Sequence, residues 1–157
     1  NAPGGVFDSS KGDLRRVNVT AGAMGKSYMS YLKVPRKLDD FCKEMNERRT
    51  NLIKEPDVYE QYGLSFDAHL KLVTIHPWVD GNGRMSRLMM NHLQTELGLV
   101  PSKVLVEDKA GYIEALVKSR EEDSCLPFQN FMFKEHAKNL QQEIDNYKLS
   151  LGEEEEK

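Results

Sequence analysis

His76-Pro-Trp-Val-Asp80-Gly-Asn-Gly-Arg84-Met-Ser-Arg87 joins two helical patterns, and most of its side chains suit phosphate chemistry. Gly81 and Gly83, on either side of Asn82, permit positive φ and, lacking Cβ atoms, let main-chain N–H groups come close to a ligand. They stand where a helix opens, and there the unpaired N–H groups and the helix dipole favour an anion such as a di- or triphosphate. Arg84 and Arg87 lie three residues apart on neighbouring positions of that helix, so two guanidinium forks reach separate phosphates. Asp80 offers a carboxylate oxygen to Mg²⁺ while the nucleotide supplies other ligands. His76 titrates near neutrality, and its neutral imidazole can take the proton of a hydroxyl attacking phosphorus. Taken singly, each of these residues has an ordinary packing or solvated role; it is their joint spacing that points to chemistry.

On the N-terminal side of this loop, Pro56 opens a pattern in which Tyr59, Tyr62, Phe66, Leu70 and Val73 recur on one face, and Pro77 stops it. On the C-terminal side, Met85, Leu88, Met89, Leu93 and Leu97 predict a second helix with an inward apolar stripe, ending near Gly98. Methionines 85, 89 and 90 read as core filler. Further upstream, Pro35 precedes Leu38, Phe41, Cys42 and Met45 at helical spacing, and Leu14 to Val34 reads as a short β-hairpin around Gly22 and Gly25. Downstream, Tyr112, Ile113, Leu116 and Val117 mark one helix, and Phe128, Phe131, Met132, Leu140, Ile144 and Tyr147 a long last one. The expected fold is mainly α, a single-domain helical bundle over 14–148, with the hairpin at about 14–34. Residues 1–13 read as a flexible start or the edge of a cut chain, and 149–157 as an acidic tail.

The whole chain has 157 residues, 39% apolar and 30% charged, a composition that excludes collagen-like and wholly disordered classes. No apolar run approaches a membrane span, and no signal peptide stands at the start. The formal charge is −3, but Glu153 to Lys157 carries four acids and one base, which leaves the rest of the chain neutral. A neutral body lacks the basic footprint of a nucleic-acid binder. Cys42 and Cys125 show neither disulfide-scaffold nor zinc spacing, so a reducing cytoplasm is the expected compartment. His69 has no ligand set around it and reads as a packed residue, and His92 and His136 carry no assigned chemistry.

HPWVDGNGRMSR resembles the signature of the Fic family, HPFx(D/E)GN(G/K)RxxR, departing only where Trp78 replaces Phe. The resemblance extends from Leu14 to Tyr147: the basic hairpin is similar to the family's flap, and Gly111 to Leu116 resembles the segment that lines the nucleotide base. It implies a Fic-like helical fold and transfer of AMP from ATP to a hydroxyl of a target protein, with pyrophosphate leaving. On that resemblance His76 is the general base, Asp80 the Mg²⁺ ligand, and Gly81, Asn82 and Gly83 the phosphate cradle. Arg84 contacts the β-phosphate, Arg87 the γ-phosphate, Tyr112 lines the base, and the flap around Gly22 to Ser30 docks the target by strand addition. The phosphorylating Doc-like branch resembles this motif but has Lys where Gly83 stands, which favours AMP transfer here.

Two other readings stay open at this level: a non-catalytic nucleotide-binding regulatory module, or AMP removal or phosphotransfer on the same scaffold. The resemblance also implies an inhibitory segment or partner contacting Arg87. Ser150 and Glu154 have the spacing of the family's inhibitory helix, but Gly152 and Glu155 depart from it, and they read as tail. No partner among nucleic acids or membranes is expected.

Overall fold

Pro35 fixes φ and lacks an N–H, neither of which costs anything in the first turn of a helix. In the computed structural model, which describes Asp8, residues 11–20 and residues 27–155, with backbone alone over 152–155, it opens α1, Val34–Lys54. A single 3-10 turn, Tyr31–Lys33, leads in. Val34, Phe41 and Met45 turn inward, at spacings of seven and four residues. Cys42, expected with them, is exposed, because a residue adjacent to Phe41 is rotated by about 100° around the axis.

Helix α2, Val58–Ile75, is capped by Asp57, whose carboxylate accepts the Glu60 N–H at 2.9 Å. Every residue from Gln61 to Leu70 is buried, so α2 is the central element, packed against both α1 and α3, Asn82–Glu96. Tyr59, expected inward, is 62% exposed, since burial begins only at Gln61, after the first turn; Val73 is half-buried. In α3 the expected stripe is displaced: Met85 and Leu88 are 42% and 61% exposed, and the buried residues are Asn82, Ser86, Met90, Leu93 and Gln94. The face that meets α2 is partly small and polar. Gln94 Nε2 donates to Ser65 Oγ at 2.9 Å, and Ser86 Oγ donates to the Asn82 carbonyl at 2.8 Å. Leu93, Met89 and Leu97 of the expected stripe do face the core, so the apolar count errs only at Met85 and Leu88 and misses the small polar residues. Val34, Phe41, Met45, Leu64, Ala68, Leu72, Ile75 and Leu93 form the core of this unit, with Trp78, Met89 and Leu97 packed against it.

The chain separates into two compact units, residues 1–99 and 100–157, where the sequence suggested one core. The break follows Gly98, whose φ of 74° ends α3 in a left-handed turn, and precedes Pro101. In the second unit α4, Lys109–Glu121, packs on α5, Leu126–Glu155, through Tyr112, Ala115, Phe128 and Met132. Gly111 permits that approach, since a Cβ there would stand 3.0 Å from the Phe131 ring. Ile144 and Tyr147 lie on α5 as expected but are exposed, and the helix continues past 149, where the tail was expected to begin.

The hairpin over 14–34 is represented, among the described residues, by one antiparallel bridge between Thr20 and Ser27 and by the Tyr28 N–H donating to the Val19 carbonyl at 3.1 Å. No longer strand is seen among those residues, as expected of a two-stranded ribbon without a third strand to support it. Gly22 and Gly25, and with them the tip of the expected flap, lie outside the described residues. No helix among the described residues is long and apolar enough to cross a membrane.

Candidate active site

Helix α2 ends at Ile75, and His76 follows as its cap with φ 53° and ψ 61°, a left-handed conformation that costs a non-glycine residue of order 1–3 kcal/mol. The His76 N–H still donates to the Leu72 carbonyl at 3.1 Å, while Nδ1 lies 3.2 Å from the Val73 carbonyl. A carbonyl can only accept, so Nδ1 carries the hydrogen and Nε2 keeps its lone pair. Tyr28 stacks on the imidazole, with ring centroids 3.9 Å apart and planes 22° from parallel.

After His76 the chain is tied down twice. Pro77 is buried and its carbonyl accepts the Arg15 N–H at 2.9 Å. Asn82 then spans the loop: Oδ1 accepts the Trp78 N–H at 3.0 Å and Nδ2 donates to the Trp78 carbonyl at 2.9 Å. The indole N–H of Trp78 donates to the Gly12 carbonyl at 3.0 Å. The Asn82 side chain is thus committed to the loop's own backbone. Gly81 is the N-cap of α3 at φ 82° and ψ −2°, and no side chain caps the helix, so its first N–H groups have no partner within the helix. The glycines are open toward solvent: a Cβ on Gly81 would meet only Arg84 Nη2, at 3.7 Å, and one on Gly83 only Arg87 Nη1, at 3.6 Å.

Asp80 and Arg84 are both exposed and face each other, with Arg84 Nη2 3.2 Å from Asp80 Oδ2. An exposed pair of this kind is worth about 0–1 kcal/mol and opens readily for a ligand. Arg87 is exposed on the next turn. Beneath it His69 is buried on α2 and held neutral, its pKa pushed down to about 4, first by burial and then by the Arg87 charge, against a hydrogen bond with the Ser86 backbone. No cluster of three or more His, Cys, Asp or Glu suited to a metal ion occurs among the described residues, so Asp80 stands as a single carboxylate.

The first unit therefore brings together His76, Asp80, Gly81, Asn82, Gly83, Arg84 and Arg87 along one loop and one helix start. Tyr112 belongs to the second unit, where its ring meets Phe128 edge-on at 5.9 Å and Phe131 at 6.5 Å. His92 is exposed, and His136 is buried in the second unit with its pKa lowered chiefly by that burial. The Glu154 side chain lies outside the described residues. Two contributors were invisible in the sequence: Arg15, which binds the His76 carbonyl at 2.7 Å, and Tyr28 on the imidazole. Arg15 sits in a basic stretch that reads as solvated surface, and no local pattern marks either residue.

Residues 4–94 match the Fic/DOC family. Among curated proteins, the protein adenylyltransferase Fic of Nematostella vectensis is 34% identical over 118 residues, which are 74% of this chain and 26% of that protein. The protein adenylyltransferase fic-1 of Caenorhabditis elegans is 31% identical over 139 residues, 88% of this chain and 26% of the relative. The solved structure of Fic-1 (residues 134–508) from C. elegans is similar with a TM-score of 0.69 and 27% identity, covering 88% of this chain and 38% of that one. A Fic domain containing signaling protein from Bacteroides thetaiotaomicron, 24% identical, shares the fold at a TM-score of 0.67, over 83% of this chain and 53% of its own. The chain spans about a quarter of the length of these curated relatives.

Proposed function

The chain belongs to the Fic/DOC family, and from that membership we propose that it transfers AMP from ATP to a Ser, Thr or Tyr hydroxyl of a target protein. In that reaction the hydroxyl oxygen bonds to the α-phosphorus, the bond from that phosphorus to the bridging oxygen of the β-phosphate breaks, and pyrophosphate leaves. The acceptor's proton passes to His76. The name protein adenylyltransferase, borne by the curated relatives, supports the reaction type. Within this chain the observation that carries it is the His76 imidazole, whose Nδ1–H is engaged by the Val73 carbonyl so that Nε2 is the basic nitrogen.

The remaining roles follow from the same loop. The uncapped start of α3, at Gly81, Asn82 and Gly83, receives the phosphates through main-chain N–H groups, with Arg84 on the β-phosphate and Arg87 on the γ-phosphate. Asp80 suits Mg²⁺ that arrives with ATP: a lone exposed carboxylate supplies one ligand and leaves the rest to phosphates and water. Bound there, Mg²⁺ neutralises charge on the phosphates. Gly83, in place of the lysine of the phosphorylating branch, favours AMP transfer. The segment around the Thr20–Ser27 bridge is the proposed dock for the target strand. Arg87, exposed, is where a carboxylate of an inhibitory segment or partner would compete with the γ-phosphate. The proposed compartment is the reducing cytoplasm, in keeping with Cys42 and Cys125, neither of which is in a disulfide.

The test is incubation with Mg²⁺ and ATP labelled at the α-phosphate, alone and with a cell lysate. Label is expected to enter protein, and His76→Ala is expected to lose about 10²–10⁴-fold of that transfer with ATP affinity unchanged. Absence of α-label from every protein, or equal labelling by His76→Ala, overturns the proposal; γ-label in its place identifies phosphotransfer.

A further inference from the structure

Arg15 is 2% exposed, among the most deeply buried large side chains of the chain. Its guanidinium donates to three carbonyls on three stretches of backbone: Nε to His76 at 2.7 Å, Nη1 to Val17 at 2.8 Å and Nη2 to Met29 at 2.6 Å. Its own N–H adds the bond to Pro77. No ion pair holds it among the described residues, and burial lowers its pKa, so the cation is kept by carbonyl dipoles alone. A charge retained at that cost needs a reason, and the bonding pattern supplies one: a rigid planar fork spans three carbonyls that a point charge on a flexible stem cannot.

Two of those carbonyls bear on His76. One is its own, in the left-handed conformation that aims the residue off the end of α2. Another belongs to Met29, the neighbour of Tyr28, whose ring lies on the imidazole. The guanidinium therefore acts on the base from two sides, on its backbone directly and on its ring through the Tyr28–Met29 backbone. We propose that Arg15 is a positioning residue that couples the flap to the His76 imidazole, so that target docking and base alignment depend on one buried fork. This rests on the reading of His76 as the base.

The experiment compares the parent chain with Arg15→Lys and Arg15→Ala. Three quantities are measured: Mg²⁺-ATP affinity by calorimetry, kcat and KM for AMP transfer, and the ring resonances of ¹³C-labelled histidine by NMR. Affinity for Mg²⁺-ATP is expected within about twofold of the parent and kcat lowered about a hundredfold, the scale of a misplacement near 1 Å. Arg15→Lys is expected to fare no better than Arg15→Ala, and millimolar guanidinium to restore part of the Ala variant's kcat. The His76 resonances are expected to shift in both variants as the Tyr28 ring moves off. Parental kcat in Arg15→Lys overturns the proposal, and so does a loss of ATP affinity equal to the loss of kcat. Where Arg15→Ala does not fold, Arg15→Lys decides. Failure of the parent to transfer AMP counts against the proposed reaction alone; unmoved His76 resonances in the variants overturn the coupling.

Discussion

A buried amide that bonds its own loop twice cannot also hold a phosphate with its side chain, and Asn82 is such a residue. Its contribution to the site is the shape of the Trp78–Asn82 turn, which delivers Gly81 to the start of α3. Asn82→Ala removes both bonds and strands the Trp78 N–H and carbonyl; it is expected to cost about 2–4 kcal/mol. Asn82→Asp keeps the acceptor and loses the donor, and is expected to cost about half as much. Urea unfolding followed by Trp78 fluorescence, which reports on this loop, measures both, and an Ala variant as stable as the parent would refute the assignment. At this scale the sequence exposes what is local. The spacing of His76, Asp80 and the two arginines, and the glycines at a helix start, are patterns of adjacent residues and could be read. The bond from Arg15 to His76 spans 61 positions, and nothing near Arg15 separates it from Arg16, which is exposed.

Helix existence was legible in the apolar periodicity and the prolines, and so was much of each buried face in α1 to α3; the polar residues within those faces were not. For α3 the reading chose Met85 and Leu88, while the helix buries Ser86 and Gln94, because a small hydroxyl lets α2 and α3 approach closely and Gln94 finds Ser65 across the gap. Apolar side chains left on the other side of α3 are then tolerated at the surface. The two faces are expected to respond in opposite order to their hydropathy. Met85→Ser and Leu88→Ser should each change stability by about 0.5 kcal/mol or less. Ser86→Leu, which raises hydropathy, should destabilise by about 1–3 kcal/mol through overpacking and loss of the bond to the Asn82 carbonyl. Chemical denaturation of the three variants checks this, and a neutral Ser86→Leu would contradict the close burial of Ser86.

For the molecule as a whole, the two units share one electrostatic trait: each buries a histidine whose pKa is lowered mainly by desolvation, His69 in the first and His136 in the second. The folded state then binds fewer protons than the unfolded one between the ordinary histidine value and the lowered one. Stability is full above pH 6.5, falls as the pH drops below 6.5, and for His69 stops falling near pH 4, where both states are protonated. Its share amounts to about 2 kcal/mol lost by pH 5 and about 3 kcal/mol at the lower limit. The carboxylates of Glu96, Asp108 and Glu143, lowered chiefly by hydrogen bonds to Arg49, Lys138 and Lys103, act with the same sign, but only from the ordinary carboxylate value downward. Acid destabilisation is therefore expected in two stages, histidines first. Trp78 is the only tryptophan and stands in the unit of His69, so its fluorescence during urea unfolding isolates that half of the upper stage. The unfolding free energy read this way should drop by about 2 kcal/mol between pH 7.5 and pH 5. His69→Gln, which cannot take up the proton, should flatten the drop, whatever its stability at pH 7.5. A parent whose Trp78 transition does not move over that range would show His69 to be protonated within the fold, with room for its charge beside Arg87, and would remove the buried neutral imidazole from beneath α3.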